Sequence, residues 1–262
     1  MSSPISLLVG GLDPTGTAGL AVDVAVVSSL GVHPAVVATV LTAQTTSSFD
    51  RADPVAVDLV ATQLRSVLDD LAPASAKLAM LWSAELAAAV VACVGSRIER
   101  LVVDPVLVSG TGERILSKEI DAIYTQELVA RSWFFTPNRA EAALLLGRPI
   151  DTDEQAASAA DTFVEMGARS AVVTGGTADR EEVVDVIAGE VGRGFSARPR
   201  LGVSPMRGTG DVLSSALAAL GSLGYDPADA YEAARGVVVE AVARGVQNPR
   251  GKGRPSVGYA QA

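Results

Sequence analysis

The chain has 262 residues, 48% hydrophobic and 19% charged, with a formal net charge of −9 and a pI near 4.7. That composition carries ample apolar material for a sizeable core, expected to form one domain, and excludes a disordered chain. It also argues against a nucleic-acid surface, because the tightest basic group, Arg250, Lys252 and Arg254, is small and lies in a Gly/Pro-rich tail.

The opening Met-Ser-Ser-Pro-Ile-Ser lacks the positive start of a signal peptide. Residues 18–43 are apolar but broken by Asp23, Gly31, His33 and Pro34, which reads as helix, turn and strand rather than a membrane span. A cytoplasmic protein with no nucleic-acid or membrane partner is expected. Strand-like apolar runs follow at 5–10, 35–41, 76–81, 100–104, 132–136 and 170–174. Helix-like stretches separate them, the clearest placing Val60, Leu64, Val67, Leu68 and Leu71 on one face. After residue 175 the rhythm changes to a hairpin, 182–188 and 190–197 about Gly189, and then to helices at 211–223 and 227–244. This order predicts a three-layer α/β/α build with a mainly parallel sheet and an edge hairpin. Cys93 excludes an internal disulfide and, inside the apolar run 85–93, is expected to be a buried core thiol. His33, beside Pro34, is read as a loop or strand-edge residue.

In open parallel sheets ligands sit at the carboxyl ends of the strands, and the chemically interesting residues gather there. Gly208-Thr209-Gly210-Asp211 precedes a helix with Leu213, Ala216, Leu217 and Leu220 on one face. Glycines there leave N–H groups open to anionic oxygens, and Asp211 is placed to take a proton from an attacking hydroxyl. A helix-capping turn accounts for the same residues. Asp104-Pro105 ends a strand and offers a carboxylate for Mg²⁺, or simply a strand-ending turn. Asn138 and Glu141 have capping-box spacing, which is compatible with metal–water contacts at the same helix end. Gly10 to Gly19 matches neither the dinucleotide fingerprint nor the Walker A loop. Its small residues admit a flat ligand, with Asp13 and Asp23 available to ring nitrogens or an amine. Gln44 offers a donor and an acceptor suited to a pyrimidine edge, or is a solvated loop residue.

Taken in order, these segments resemble the hydroxymethylpyrimidine/phosphomethylpyrimidine kinase family of the ribokinase-like superfamily. The resemblance runs through Gly11 to Asp23, Thr42-Ala-Gln44-Thr-Thr46, Lys77-Leu-Ala-Met80-Leu81, Val103-Asp104-Pro105-Val106, Thr136-Pro137-Asn138 with Glu141, and Gly251-Lys252-Gly253-Arg254. It implies an ATP- and Mg²⁺-dependent kinase acting on an aminopyrimidine alcohol, and a homodimer. By the same resemblance Gly11, Gln44 and Met80 surround the acceptor, with Asp13 and Asp23 close by. Asn138, Glu141, Thr174 and Gly176 meet the nucleotide, Asp104 and Glu141 the metal, and Gly208 to Asp211 form the anion hole.

Two departures stand out. Asp211 replaces the family's usual Cys and follows the sugar-kinase and pyridoxal-kinase pattern, and Thr174-Gly175-Gly176-Thr177 replaces Lys-Gly-Gly-His. The lost lysine points to phosphorylation of the free alcohol over its monophosphate, unless Arg207 supplies the charge. The alternatives are pyridoxal or another hydroxymethyl heterocycle or sugar as acceptor, and a non-catalytic pyrimidine-binding homologue. A Rossmann-type dehydrogenase is disfavoured, since its glycine fingerprint is absent after the first strand.

Overall fold

Alternating apolar and amphipathic runs pair into a nine-stranded sheet with helices on both faces. The computed structural model describes residues 3–95, 97–109, 113–175, 180–201 and 206–259. Its strands are β1 (Ile5–Leu12), β2 (His33–Gln44), β3 (Phe49–Pro54), β4 (Ser75–Leu78), β5 (Arg100–Val103), β6 (Phe134–Phe135), β7 (Ser170–Val173), β8 (Glu182–Gly189) and β9 (Gly194–Pro199). They lie in the order β3-β2-β1-β4-β5-β6-β7-β8-β9. The middle of the sheet, β2 through β7 in that order, is parallel, whereas β3 and the β8–β9 hairpin close the edges antiparallel.

The period-two pattern of the strands decides which layer each side chain joins. Leu7, Val9, Leu101, Val103, Ala171 and Val173 enter one core cluster, while Leu8, Val102 and Val172 face the other side. The first face is covered by α2 (Val57–Asp70), α3 (Ala84–Val94), α4 (Glu119–Ile123), α5 (Arg139–Leu146) and α6 (Asp153–Glu165). The second is covered by α1 (Gly19–Ser29), α7 (Thr209–Ser222) and α8 (Pro227–Gln247). α7 is buried along almost its whole length, Val212 through Gly221, and packs on β1, β4 and β5. Hydroxyls lock it there: Ser75 Oγ donates to Ala218 O at 2.6 Å and lies 2.7 Å from Ser222 Oγ. The start of α7 is therefore held at a fixed height above the strand ends.

Several expected boundaries move. The strand expected at 35–41 runs on to Gln44, because its end pairs with β3, an edge strand too polar for apolar runs to reveal. The run 76–81 stops as a strand at Leu78, and Trp82 beyond it takes a left-handed φ of 60°. The run 132–136 narrows to Phe134–Phe135, though Trp133 and Thr136 still donate to Leu101 and Val103 carbonyls. The hairpin turn extends from Gly189 to residue 193 instead of turning at Gly189 alone. Cys93 is half-buried rather than interior: it lies beside α2, with Sγ 3.8 Å from Ala61 O. His33 is exposed at the start of β2. Among the described residues, no helix is long and apolar enough to cross a membrane.

Two helical glycines give opposite expectations. A Cβ on Gly221 would sit 2.8 Å from the buried Trp133 ring, whereas one on Gly236 would meet nothing within 4 Å. Urea unfolding should show Gly221→Ala destabilised by about 1–3 kcal/mol through overpacking. Gly236→Ala should be stabilised by up to about 1 kcal/mol through helix propensity.

Candidate active site

The strand ends open into a cleft of about 840 Å³. Gly11, Gln44, Met80, Asp104, Asn138, Thr174 and Gly208 to Asp211 all line it, so the dispersed motifs do converge. Gly176 lies outside the described residues.

On one side the pairing of β1 with β2 shifts between Gly10 and Gly11, because β2 bulges at Thr39 near the rim. A Cβ on Gly11 would come 2.9 Å from Met80 Sδ and 3.1 Å from Val40 Cγ1. Only a bare backbone fits beside that methionine. Gln44, the last residue of β2 rather than a loop residue, donates through Nε2 to Thr42 Oγ1 at 2.9 Å. Its Oε1 accepts from Arg207 Nη2 at 2.6 Å. A guanidinium can only donate, so this contact fixes which way the amide faces. One N–H and one lone pair of Gln44 are left for a ligand.

Asp13 does not offer a free carboxylate. It accepts from Thr15 N and Oγ1 at 2.8 Å and pairs with Arg207 Nη2 at 3.1 Å. Arg207 thus belongs to the acceptor side, with its charge already matched by a buried aspartate. The tail closes this side. Gly253 N and Arg254 N donate to Thr46, Arg207 N donates to Pro255 O while its carbonyl accepts from Val257 N, and Tyr259 Oη donates to Gly16 O at 2.9 Å.

The start of α7 forms the floor. Gly208, its N-cap, has φ 86°, and a Cβ there would lie 2.6 Å from Thr17 O. No side chain caps this helix, so its first N–H groups stay open toward the cleft. Asp211 lies in the first turn, its side chain 16% exposed. Behind it sits Lys77 of β4, fully buried, with Nζ 2.6 Å from Asp23 Oδ1 and 3.3 Å from Asp211 Oδ1. Asp23, expected at the acceptor, is itself 1% exposed and spends Oδ1 on Lys77 and Ser215. Burial alone would lower the Lys77 pKa, but Asp23, Asp211 and Asp104 outweigh it and hold the pKa raised.

On the nucleotide side, Asp104 is buried and accepts from Ser214 Oγ at 2.8 Å. Burial, reinforced by Asp211, pushes its carboxyl up to about 6. Asn138 and Glu141 form the expected capping box at the start of α5: Glu141 N donates to Asn138 Oδ1 at 3.1 Å and Asn138 N to Glu141 Oε2 at 2.9 Å. Glu141 Oε1 also accepts from Leu107 N at 3.3 Å, so both oxygens hold backbone. Burial, with Asp104 nearby, raises its carboxyl well above the usual range. Thr174 N donates to Pro137 O, and Gly175 N donates to Asp185 Oδ1 at 3.0 Å. Asp185 in turn is paired with the buried Arg235 of α8. Arg235 is thus linked to the Thr174 loop through Asp185, whereas Arg207 is engaged on the acceptor side by Asp13.

Sequence reasoning missed Lys77, Asp185 and Arg235 as site components. The signal was present: Lys77 interrupts the apolar run 76–81, and Asp185 interrupts Val183-Val184-Asp185-Val186-Ile187. A charge inside a buried strand demands a partner.

Known proteins resemble this chain in sequence and fold. A family model described as phosphomethylpyrimidine kinase matches residues 13–256. The hydroxymethylpyrimidine/phosphomethylpyrimidine kinase of Rhizobium meliloti is 32% identical over 254 residues, 97% of this chain and 96% of that protein. A crystal structure of phosphomethylpyrimidine kinase from Clostridium difficile superposes with a TM-score of 0.80 at 26% identity, covering 92% of this chain and all of that one. An ADP complex of Bacillus subtilis pyridoxal kinase superposes with a TM-score of 0.85 at 25% identity, covering 92% of each chain. The likeness runs along nearly the whole length, and the chain belongs to the phosphomethylpyrimidine kinase family, a kinase of ribokinase-like fold.

Proposed function

We propose that the protein transfers the γ-phosphoryl group of ATP to the hydroxymethyl oxygen of 4-amino-5-hydroxymethyl-2-methylpyrimidine, a step of thiamine biosynthesis. The observation that carries this reading is the uncapped α7 N-terminus, which shares one cleft with Asp211, Asp104 and the Gly11–Gln44–Met80 wall. The wall suits a flat ring, and the remaining Gln44 N–H and lone pair match a ring nitrogen and an exocyclic amine. Asp211 takes the proton of the attacking hydroxyl, while the α7 N–H groups meet the charge on the transferred group. Incubation with ATP, magnesium and the pyrimidine alcohol, its monophosphate, pyridoxal or ribose tests this. The alcohol should give the highest acceptor-dependent ADP release, and no release with any acceptor sinks the reading. Asp211→Asn should lose about 10²–10⁴-fold in kcat, the usual range for a positioned general base.

The acceptor's phosphorylation state is the finer question. A phosphate already on the acceptor would lie against the Asp211 carboxylate, with threonine and not lysine at 174. Like charges at such range cost a few kcal/mol at an effective dielectric near 20. The alcohol should therefore exceed the monophosphate at least about tenfold in kcat/KM, and Thr174→Lys should narrow that gap. Pyridoxal is the second reading, supported by the likeness to the pyridoxal kinase fold and by a carboxylate at 211.

The donor set also fits Mg²⁺. Among the described residues no group of three or more His, Cys, Asp or Glu forms a metal cage. Asp104 would then hold the ion, with Glu141 acting through water and the nucleotide phosphates completing the shell. When bound, the ion would supply positive charge against the nucleotide phosphates. Further inside, burial pushes the Asp23 carboxyl up to about 7, against the pull of Lys77. The folded chain keeps a proton there that the unfolded chain loses near pH 4, so this contribution to stability is full below about 4 and lost as pH rises through 7. Urea unfolding between pH 5 and 7.5 should show a smaller fall in stability for Asp23→Asn than for the unmodified protein.

A further inference from the structure

Lys77 is a fully buried charge to which the proposed chemistry gives no task. Its side chain runs from β4 to the first turn of α7, where Nζ meets Asp23 Oδ1 at 2.6 Å, Asp211 Oδ1 at 3.3 Å and Ser215 Oγ at 3.4 Å. Ser215 Oγ approaches Asp23 Oδ1 at 2.6 Å and Asp211 O at 2.5 Å, tying the same two residues from the helix side. If Lys77 served simply to neutralise Asp23, the pair would be complete without Asp211. Instead the ammonium also meets the one carboxylate of this cluster that keeps appreciable exposure to the cleft, at 16% against 1% for Asp23. Among the described residues, no donor reaches Asp211 Oδ2.

We infer that Lys77 is a positioning residue for the Asp211 base: it anchors Oδ1, so that the carboxylate presents Oδ2 to the acceptor hydroxyl. Asp23 and Ser215 hold the ammonium in line with that task. The inference rests on the kinase reading and on Asp211 as its base. A carboxylate free to rotate about its side-chain bonds spends most of its time misaimed, and misplacement by about 1 Å costs on the order of 10²-fold in rate.

The test must separate aiming from charge balance, because Lys77→Met alone strands the buried Asp23 and is prone to misfold. The double variant Lys77→Met with Asp23→Asn removes both charges of the inner pair. It should unfold in urea near the midpoint of the unmodified protein while kcat falls about 10²-fold. The KM values for ATP and the pyrimidine alcohol should stay within about threefold, because neither ligand touches Lys77. Asp23→Asn alone, whose amide oxygen can still accept from Lys77, should lose clearly less kcat than the double variant. Recovery of full kcat in the folded double variant would overturn the inference while leaving the kinase reading intact. Full activity in Asp211→Asn would overturn the base assignment itself, and this inference with it. A further loss from the double substitution placed on Asp211→Asn, equal to its loss in the native background, would show that Lys77 acts elsewhere and would also overturn it.

Discussion

An ammonium buried in the middle of a sheet must be met by opposite charge, and Lys77 ties three elements together through that demand. β4 supplies the lysine, α1 supplies Asp23, and α7 supplies Asp211 and Ser215. Removing one partner of such a group leaves an uncompensated charge, which is among the costliest defects a core can carry. The cluster therefore sets the register of α1 and α7 against the strands, alongside the apolar contacts. Once α7 is fixed in this way, so is the position of its N-terminus, and with it the point in the cleft where an anion is best received.

Two of the arginines at the cleft follow one pattern. Arg207 and Arg235 both line the cleft, and each is paired with a buried aspartate, Asp13 and Asp185 respectively. These arginines act as struts: one orients Gln44 and the tail, the other braces the carboxylate that holds Gly175. The open N–H groups at the start of α7 add positive potential to the cleft, in a protein whose net charge is −9. A polyanion entering such a site is best accepted with its own counter-ion, which agrees with a cleft that carries Asp104 where an extra cation is expected.

How far the fold could be read in advance depended on how local each signal was. The parallel strands announced themselves because residues buried on both faces read as apolar runs. The capping box at Asn138 and Glu141 was legible because its spacing is a local geometric requirement. β3 was invisible, since an edge strand such as Phe49–Pro54 needs little burial and shows mainly polar residues. The rim residues were found as a set because strand ends converge by topology. Their pairings were not, because Asp23 meets Lys77, and Asp13 meets Arg207, across gaps in the chain that no local pattern encodes. The roles of Asp13 and Asp23 shifted inward for that reason, from ligand contact to support of the groups that face the ligand.

The tail gives the site a peculiar order of assembly. Thr46, Gly16 and Arg207 are roofed by residues 253–259, which follow every strand and helix of the fold in the chain. A growing chain on the ribosome can complete the sheet, seat α7 and dock α8 while the acceptor side still lacks its outer wall. The same stretch of tail seats Val257 in the core layer formed with α7 and α8, so the binding face closes as that layer is completed. A single proteolytic cut just beyond α8 would open the face where the acceptor must be held and strip Val257 from the core in one step.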